Sequence, residues 1–445
     1  MDSLVLLLLG AVVFLLWGGI AARQSIVSMV DFKAVYYSAR CLIEHGDPYD
    51  RSELERVYLA EGGENPSAPP ASRTTLREAA TVDVNLPATL LLVAPIAVLG
   101  WGPAHVLWMI LIAASFLLAA YLMWSCTEEH APLICAALIG LFVATSALLL
   151  EIGNTAGIAT GLCVIAAWCF LKERSVAAGV VCLAVSLVMK PQDAGLVWLF
   201  FLPAGGVYRK RAWQTLAVAV VLSVPAVLWV SAAAPHWIQE LHANLAMTGA
   251  HGSLNDPGPA HVSPLTRGAI IINLQTLVSM WRDDPGLYNP VTYVVCGALL
   301  AVWAVATLLS RRSEKRDWLA LATAAALAML PVYHRQHDTR LLLLMFPAFA
   351  VLWAEGGVTG WLALAMTGAG VVLTANVALQ LLGILAGHWH LAAGGWGARA
   401  LNLLMVRPAP IVLSGVTLFY LWIYVRHVRM QRAESGAEAK SHAAL

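Results

Sequence analysis

Ionisable and polar side chains recur where long apolar stretches of this sequence are interrupted. Such residues are costly in or beside a membrane and are functional candidates by default. Carboxylates at these places are able to act as general bases, and cations are able to hold an anion. The candidates are Asp31, Asn85, Glu151, Asn154, Lys190, Gln192, Asp193, Arg267, Asn273, Gln275, His334, Arg335, His337, Asp338 and Arg340, with Tyr36 and Tyr37 shortly after the first of them.

The elements that must carry these residues are membrane helices. The chain is 60% hydrophobic and only 12% charged, with a mean hydropathy of +0.73, whereas a soluble domain carries about a quarter charged residues. A span needs about 20 apolar residues, so there is room for many. The net charge of +1 gives no indication of nucleic-acid binding, and the seven cysteines form no CxxC pair. We predict an all-α polytopic membrane protein.

Basic clusters orient the predicted spans. Lys and Arg are concentrated at 172–174, 209–211, 311–316 and 426–432, and the positive-inside rule assigns such clusters to the cytoplasm. The polar candidates then fall on the external side or near it. An ion pathway would spread polar residues through the membrane thickness, whereas a site that works at one face collects them there. No GxSxG, HExxH or P-loop motif is present.

Thirteen apolar segments are candidate spans, and charge parity removes one of them. Segment 86–100 is short and contains Pro95, so we interpret it as an external juxtamembrane helix. About twelve spans remain, with both termini inside; thirteen spans with a weak charge bias is the alternative. The predicted division is a first transmembrane helix 1–22, an external loop with juxtamembrane helices 23–101, a transmembrane module 102–231, an external loop 232–290, C-terminal transmembrane helices 291–427 and a cytoplasmic tail 428–445.

Each candidate also has an ordinary structural interpretation. Asp31 is able to pair with a neighbouring base at the headgroup level, and Lys190 is able to extend to the membrane surface in the way long cationic side chains do. Asn154 follows a glycine and fits a turn, while His334 and His337 fit interfacial hydrogen bonding. The concentration of polar residues on one side is more informative than any one of them.

Five stretches in order along the chain resemble glycosyltransferase family 87, the DUF2029-type mannosyltransferases of the GT-C class that use polyprenol-phosphate-mannose. Asp31 precedes a YYSARCLIEHGDPYD stretch at 36–50, which is similar to the family's first loop. The other similar stretches are 85–100, 151–162, 179–202 and 333–352. Two features differ from the family pattern. Asn154 stands where the family has glutamine, and the late segment is unusually cationic through Arg335 and Arg340.

The resemblance implies a GT-C fold and a role for each candidate. Asp31 matches the acidic residue of the first external loop that acts as the catalytic base. The cations that would bind the donor phosphate are Lys190, Arg335, Arg340 and Arg267. The residues that would contact the acceptor or orient other groups are Tyr36, Tyr37, Asn85, Asn154, Gln192, Asn273, Gln275, His334, His337 and Asp338. No cofactor or metal is required by this chemistry, although Asp31 with Asp338 leaves room for a divalent ion.

The implied function is an inverting hexosyl transfer, with mannose as the expected sugar, in glycolipid biosynthesis. The donor would be a sugar linked to polyprenyl phosphate, the acceptor a lipid or glycan, and the site the periplasmic face of a bacterial inner membrane. Two alternatives stay open at this point. A transporter or flippase for a lipid-linked saccharide would need polar residues on the cytoplasmic half of the spans. A membrane protein that binds polyprenyl phosphate without turnover would fit the altered stretch around Asn154.

Overall fold

A computed structural model describes residues 2–64, 68–253, 255–258, 271–375 and 407–443, together with a few single positions between 376 and 406. The described residues are almost entirely helical, and one isolated bridge pairs Ile271 with Arg335. The N-terminal helices are α1 (Asp2–Gln24), α2 (Val30–Ile43), α3 (Arg51–Ala60), α4 (Pro70–Ala80) and α5 (Pro87–Ala97). The central helices are α6 (Trp101–Ser125), α7 (Pro132–Ala144), α8 (Leu148–Ile152), α9 (Ala156–Leu171), α10 (Val176–Met189), α11 (Pro191–Phe201), α12 (Gly206–Ala233) and α13 (Trp237–Gly249). The C-terminal helices are α14 (Leu274–Ser279), α15 (Pro285–Leu309), α16 (Glu314–Ala328), a 3₁₀ helix (Gln336–Met345), α17 (Phe346–Glu355), α18 (Gly357–Leu373) and α19 (Pro408–Ala443).

Seven described helices are long and apolar enough to cross a membrane. They are Asp2–Gln24, Trp101–Ser125, Pro132–Ile152, Gly206–Ala233, Pro285–Leu309, Gln336–Glu355 and Pro408–Glu434. Four shorter apolar helices accompany them, namely Pro87–Ala97, Ala156–Leu171, Val176–Met189 and Gly357–Leu373. This confirms the prediction of an all-α polytopic membrane protein. The count of about twelve spans and the six-part division of the chain stay predictions.

Two helices can be compared in length with the segments that the sequence indicated. The segment interpreted as a juxtamembrane helix forms α5, whose 11 residues extend about 17 Å at 1.5 Å per residue, well short of a hydrocarbon core of about 30 Å. The predicted tail, 428–445, continues α19 to Ala443. Residues 433–443 are rich in alanine, glutamate and lysine, which favour helix.

The first helix is fixed by a close backbone approach. Gly10 of α1 lies against Gly140 of α7, so closely that a Cβ at Gly10 would overlap the Gly140 backbone. Small residues at such a crossing let two membrane helices pack through their backbones. This contact holds α1 against α7. The C-terminal end of α1, which leads into α2, is positioned as a result.

Three breaks between helices position the polar residues. The turn between α1 and α2 contains Met29, which has a left-handed backbone conformation with φ of 54°. Gly153, with φ of 67°, separates α8 from α9. Lys190 ends α10 and precedes Pro191, the first residue of α11. Its φ of −145° is the extended conformation that a following proline imposes.

Candidate active site

The carboxylate of Asp31 is held by a side chain from a different part of the chain. Asn154 donates a hydrogen bond from Nδ2 to Asp31 Oδ2 over 2.6 Å. The other end of the same amide is also fixed, because Asn154 Oδ1 accepts from the backbone N–H of Ala156 at 2.8 Å. Asn154 is therefore oriented with its NH₂ group towards Asp31. The position at which the sequence departs from the family's glutamine is the one that contacts the candidate base.

Backbone contacts bring these two segments together. The Met29 N–H donates to the Glu151 carbonyl at 2.7 Å, and Trp108 Nε1 donates to the Gly153 carbonyl at 2.8 Å. Gly153 leaves no room for a side chain, since a Cβ there would lie 2.8 Å from Phe32 Cβ and 2.9 Å from Met29 Cε. The fit between the residues flanking Asp31 and Gly153 therefore sets the position of the carboxylate.

Lys190 contributes a cation that two buried carboxylates face. Its Nζ donates to Asp338 Oδ1 at 2.5 Å, and it lies 3.9 Å from Asp193 Oδ2. Asp193 and Asp338 are 1% and 2% exposed, so both carboxylates are shielded from water. Breaking a buried pair by removing one partner typically costs 3–5 kcal/mol, roughly, which indicates that the three residues form one unit.

His334 completes this unit on the side of Asp193. Its Nε2 lies 2.9 Å from Asp193 Oδ1, and its Nδ1 lies 3.1 Å from the Val332 carbonyl oxygen. The ring is fully buried. Both neighbours of the ring are oxygen acceptors, so both ring nitrogens are placed to donate a proton.

Arg335 contacts Asp338 through its backbone, while its side chain contacts residues outside the acidic pair. Its N–H donates to Asp338 Oδ2 at 2.8 Å, and its guanidinium donates to Asn255 Oδ1 at 3.2 Å and lies over the Tyr333 ring. The short segment before the 3₁₀ helix is fixed by a second strip of chain, because Ile272 N–H donates to the His334 carbonyl at 3.0 Å.

Charges from the three regions act on one another. Burial raises the pKa of Asp31 above its ordinary value, and the Asn154 hydrogen bond and the charges of Arg335 and Lys190 reduce that increase. The negative charge of Asp338 raises the pKa of Asp31 further. Asp31 is still partly exposed at the surface. The arrangement is thus an accessible carboxylate of raised pKa, with two cations within electrostatic range, which is suitable for taking a proton next to a bound anion.

Three predicted residues in the first loop lie in packing and hydrogen-bonding positions outside this arrangement. Tyr36 is buried, and its hydroxyl lies 3.0 Å from both Glu61 Oε2 and the Leu99 carbonyl oxygen, to either of which its one proton can be donated. Tyr37 is buried and stacks on the Trp101 ring. Asn85 donates to Asp83 from its backbone and its side chain, at 2.9 and 2.6 Å. The structure does not bring these three side chains to Asp31.

Asn273 and Gln275 have structural contacts of their own. Asn273 caps α14 by accepting from Thr276, and it donates to Gln275 at 2.5 Å. Gln275 donates to Asn289 at 2.7 Å. Gln192 lies partly exposed in the first turn of α11, next to the Lys190 break. Of these three, only Gln192 adjoins the candidate site along the chain.

The two remaining predicted residues of the late segment differ in position. His337 is buried with Nε2 3.6 Å from Asp338 Oδ1, so it borders the acidic pair. Arg340 is one turn deeper and buried; it reaches the carbonyls of Phe142 and Gln336 only at 3.5 Å and lies over the Phe142 ring. This placement does not favour the predicted contact between Arg340 and the donor phosphate. Arg267 lies outside the described residues.

Sequence reasoning named Asp193 as a polar residue but gave it no role in the site. The structure places it between His334 and Lys190. The spacing from Lys190, three residues onward in the first turn of α11, was a usable signal, because residues three apart share a helix face. The Trp108 contact to Gly153 had no signal in the sequence.

Two groups of described side chains have ligand atoms close enough to share a metal ion. One is Asp193, His334 and Asp338, all buried; the other is His251, Asp256 and Asp283, in which His251 is exposed. The first group belongs to the site described above. The second links the turn after α13 to the segment before α15, with His251 Nδ1 3.1 Å from Asp256 Oδ2.

The fold and the site define a class of protein. A polytopic helical membrane protein in which described acids, cations and a histidine meet in one place fits a membrane enzyme better than it fits a pore.

The family model of glycosyltransferase family 87 matches residues 85–281, a little under half of the chain. This match confirms the resemblance to glycosyltransferase family 87 over the matched residues and indicates a glycosyltransferase. The matched region contains Asn154, Lys190 and Asp193, whereas Asp31 and the segment 333–340 lie outside it. No curated protein and no solved structure matches the chain.

Proposed function

We propose that this glycosyltransferase moves a sugar, mannose in the first instance, from polyprenyl phosphate to the hydroxyl of a lipid or glycan acceptor. The observation that carries the proposal is the contact between Asp31 and Asn154, formed within electrostatic range of Lys190 and Arg335. A base and two cations from separate parts of the chain are the groups that a single displacement at an anomeric carbon needs.

In the proposed step, Asp31 takes the proton of the acceptor hydroxyl as its oxygen bonds to the anomeric carbon. The bond from that carbon to the phosphate oxygen breaks, and polyprenyl phosphate leaves with the electron pair. One displacement inverts the anomeric configuration. General-base assistance of this kind contributes about 10²–10⁴-fold.

The leaving phosphate needs charge compensation as it departs. Lys190 and Arg335 are the described cations whose charges reach Asp31, and preorganised cations stabilise developing negative charge most when they are withdrawn from water. Lys190 is only partly available because Asp338 already accepts from it, but an ammonium group has three donors. His334 and His337 are further candidates for contacts with the phosphate or acceptor. The displacement itself requires no metal ion.

The proposed setting is the periplasmic face of a bacterial inner membrane. Basic residues near the cytoplasmic ends of the spans support this orientation, with the C-terminus inside. The polar group then lies at the depth where a lipid phosphate is presented. The apolar spans around it would hold the prenyl tail.

The test is transfer of radiolabel from polyprenyl-phosphate mannose to membrane acceptors by wild type and by Asp31→Asn. The substitution keeps the shape and the ability to accept from Asn154 but removes the base, so we expect incorporation to fall by about 10²-fold or more. Asp83→Asn is the matched control, because Asp83 is a buried acid whose charge is not among those that act on Asp31.

Equal incorporation by wild type and Asp31→Asn, with both proteins folded, would remove Asp31 as the base. Binding of polyprenyl phosphate without transfer to any acceptor would instead favour the non-catalytic alternative. Transport of a lipid-linked saccharide that Asp31→Asn abolishes, with no transfer detected, would favour the flippase alternative.

A further inference from the structure

The geometry points to a divalent-cation site formed by Asp193, His334 and Asp338. These three buried side chains each present one ligand atom, and the three atoms lie within 4.8 Å of one another. A nitrogen and two carboxylate oxygens suit Mn²⁺ or Zn²⁺ better than Mg²⁺ or Ca²⁺, which prefer oxygen alone. Binding of the cation is inferred independently of the proposed function. Only its role beside a donor phosphate rests on that function.

The orientation of His334 is the first observation in its favour. Nδ1 lies 3.1 Å from the backbone carbonyl of Val332, which fixes the proton on Nδ1 because a carbonyl only accepts. Nε2 lies 2.9 Å from Asp193 Oδ1, where a metal ion would replace the proton that Nε2 donates to the carboxylate. Histidines that bind metals are typically oriented in this way, by a carbonyl or carboxylate on the other ring nitrogen.

Asp193 provides the second, independent observation. Its side chain is 1% exposed, and its Oδ2 accepts no hydrogen bond from any residue that the structure describes. A buried carboxylate oxygen without a donor is costly. Oδ2 lies on the side of Asp338, since Lys190 Nζ is 3.9 Å from it and 2.5 Å from Asp338 Oδ1.

The charges around this centre leave room for a second cation. Asp193 and Asp338 contribute two negative charges, Lys190 contributes one positive charge, and His334 contributes none once a metal has replaced its Nε2 proton. A divalent ion would bring the group to one net positive charge, which the phosphate of a lipid-linked donor would offset. Lys190 would therefore compete with the metal for the two carboxylates. It would also lie next to the metal at the donor phosphate.

The test measures binding of Mn²⁺ to the full-length protein in detergent or nanodiscs, after chelator treatment and without donor or acceptor. Electron paramagnetic resonance gives the stoichiometry and affinity, and pulsed measurements detect a coordinated imidazole nitrogen. We expect one bound Mn²⁺ with a nitrogen signal. Asp193→Asn should weaken binding by at least about tenfold, the lower range for losing metal-site support, and His334→Gln should remove the nitrogen signal.

Lys190→Met keeps the inference testable if Asp193→Asn does not fold. Removing the competing positive charge should strengthen Mn²⁺ binding about tenfold or more. Added Mn²⁺ should also raise the unfolding temperature of Lys190→Met more than that of wild type. A substitution that merely damaged the structure would do neither.

Asp283→Asn is the matched control, because Asp283 belongs to the other group of possible ligands. Loss of Mn²⁺ in Asp283→Asn with full retention in Asp193→Asn would overturn the inference, and so would the absence of binding by wild type. These outcomes are independent of transfer. A protein that transfers sugar without binding Mn²⁺ would retain the proposed function and lose the cation site, whereas binding without transfer would do the reverse.

Discussion

Substituting Gly153 by alanine tests whether the site depends on the fit between the Asp31 segment and the Asn154 segment. A left-handed backbone costs a non-glycine residue about 1–2 kcal/mol, and Gly153 has φ of 67°. The new Cβ would also lie 2.8 Å from Phe32 Cβ, whereas an ordinary contact is at least 3.4 Å. Phe32, which is next to Asp31 in the chain, must therefore move by about 0.6 Å.

A displacement of that size is large for catalysis. A 1 Å misplacement of reacting groups costs about 10²-fold, so we expect Gly153→Ala to reduce the transfer rate by about 10- to 100-fold at saturating donor. The unfolding temperature should fall only modestly, because the strain is local. The measurements are radiolabel transfer from polyprenyl-phosphate mannose and a thermal unfolding scan of the same preparation.

Gly357→Ala separates backbone strain from the clash. Gly357, the first residue of α18, has nearly the same φ, 65°, but has open space where a Cβ would be. It should share the small loss of stability and keep wild-type transfer. Wild-type transfer by Gly153→Ala, or an equal loss of transfer in both variants, would refute the reasoning that the fit at Gly153 positions the base.

Three further predictions concern the charged groups. A general base acts only when deprotonated, and burial raises the pKa of Asp31. In a pH–rate profile, transfer should therefore rise with pH around a pKa above the ordinary aspartate value of 3.8. Asn154→Ala should move this rise to higher pH, because the lost hydrogen bond had favoured the ionised carboxylate. Lys190→Met should lower the turnover number by about 10²–10³-fold if the ammonium stabilises the leaving phosphate, and an unchanged turnover number in folded protein would contradict that role. Arg340→Met should leave transfer near the wild-type rate and the unfolding temperature equal or higher, since replacing a buried charge by an apolar side chain of similar size is often neutral or stabilising. A loss of transfer in folded Arg340→Met protein would instead indicate that Arg340 binds the donor phosphate.

The sequence by itself determined the class of protein and the order of its motifs. Composition and apolar runs require membrane helices, since a chain with so few charges cannot cover a soluble surface. Local chemistry also predicted the breaks, because proline after Lys190 and glycine before Asn154 interrupt helices. The order of the family-like stretches then led to the assignment that the family model supports.

The tertiary structure alone decided which polar residues meet. Asp31 and Asn154 are 123 positions apart, and Lys190 and Asp338 are 148 apart. No helical period relates residues at such separations, so their contacts depend on how whole helices pack. The same packing placed Tyr36 and Tyr37 in a buried aromatic layer and gave Asp193 a partner 141 positions away in His334. A sequence pattern shows which residues are costly in a membrane, and only the packing of the helices shows which neighbours offset that cost.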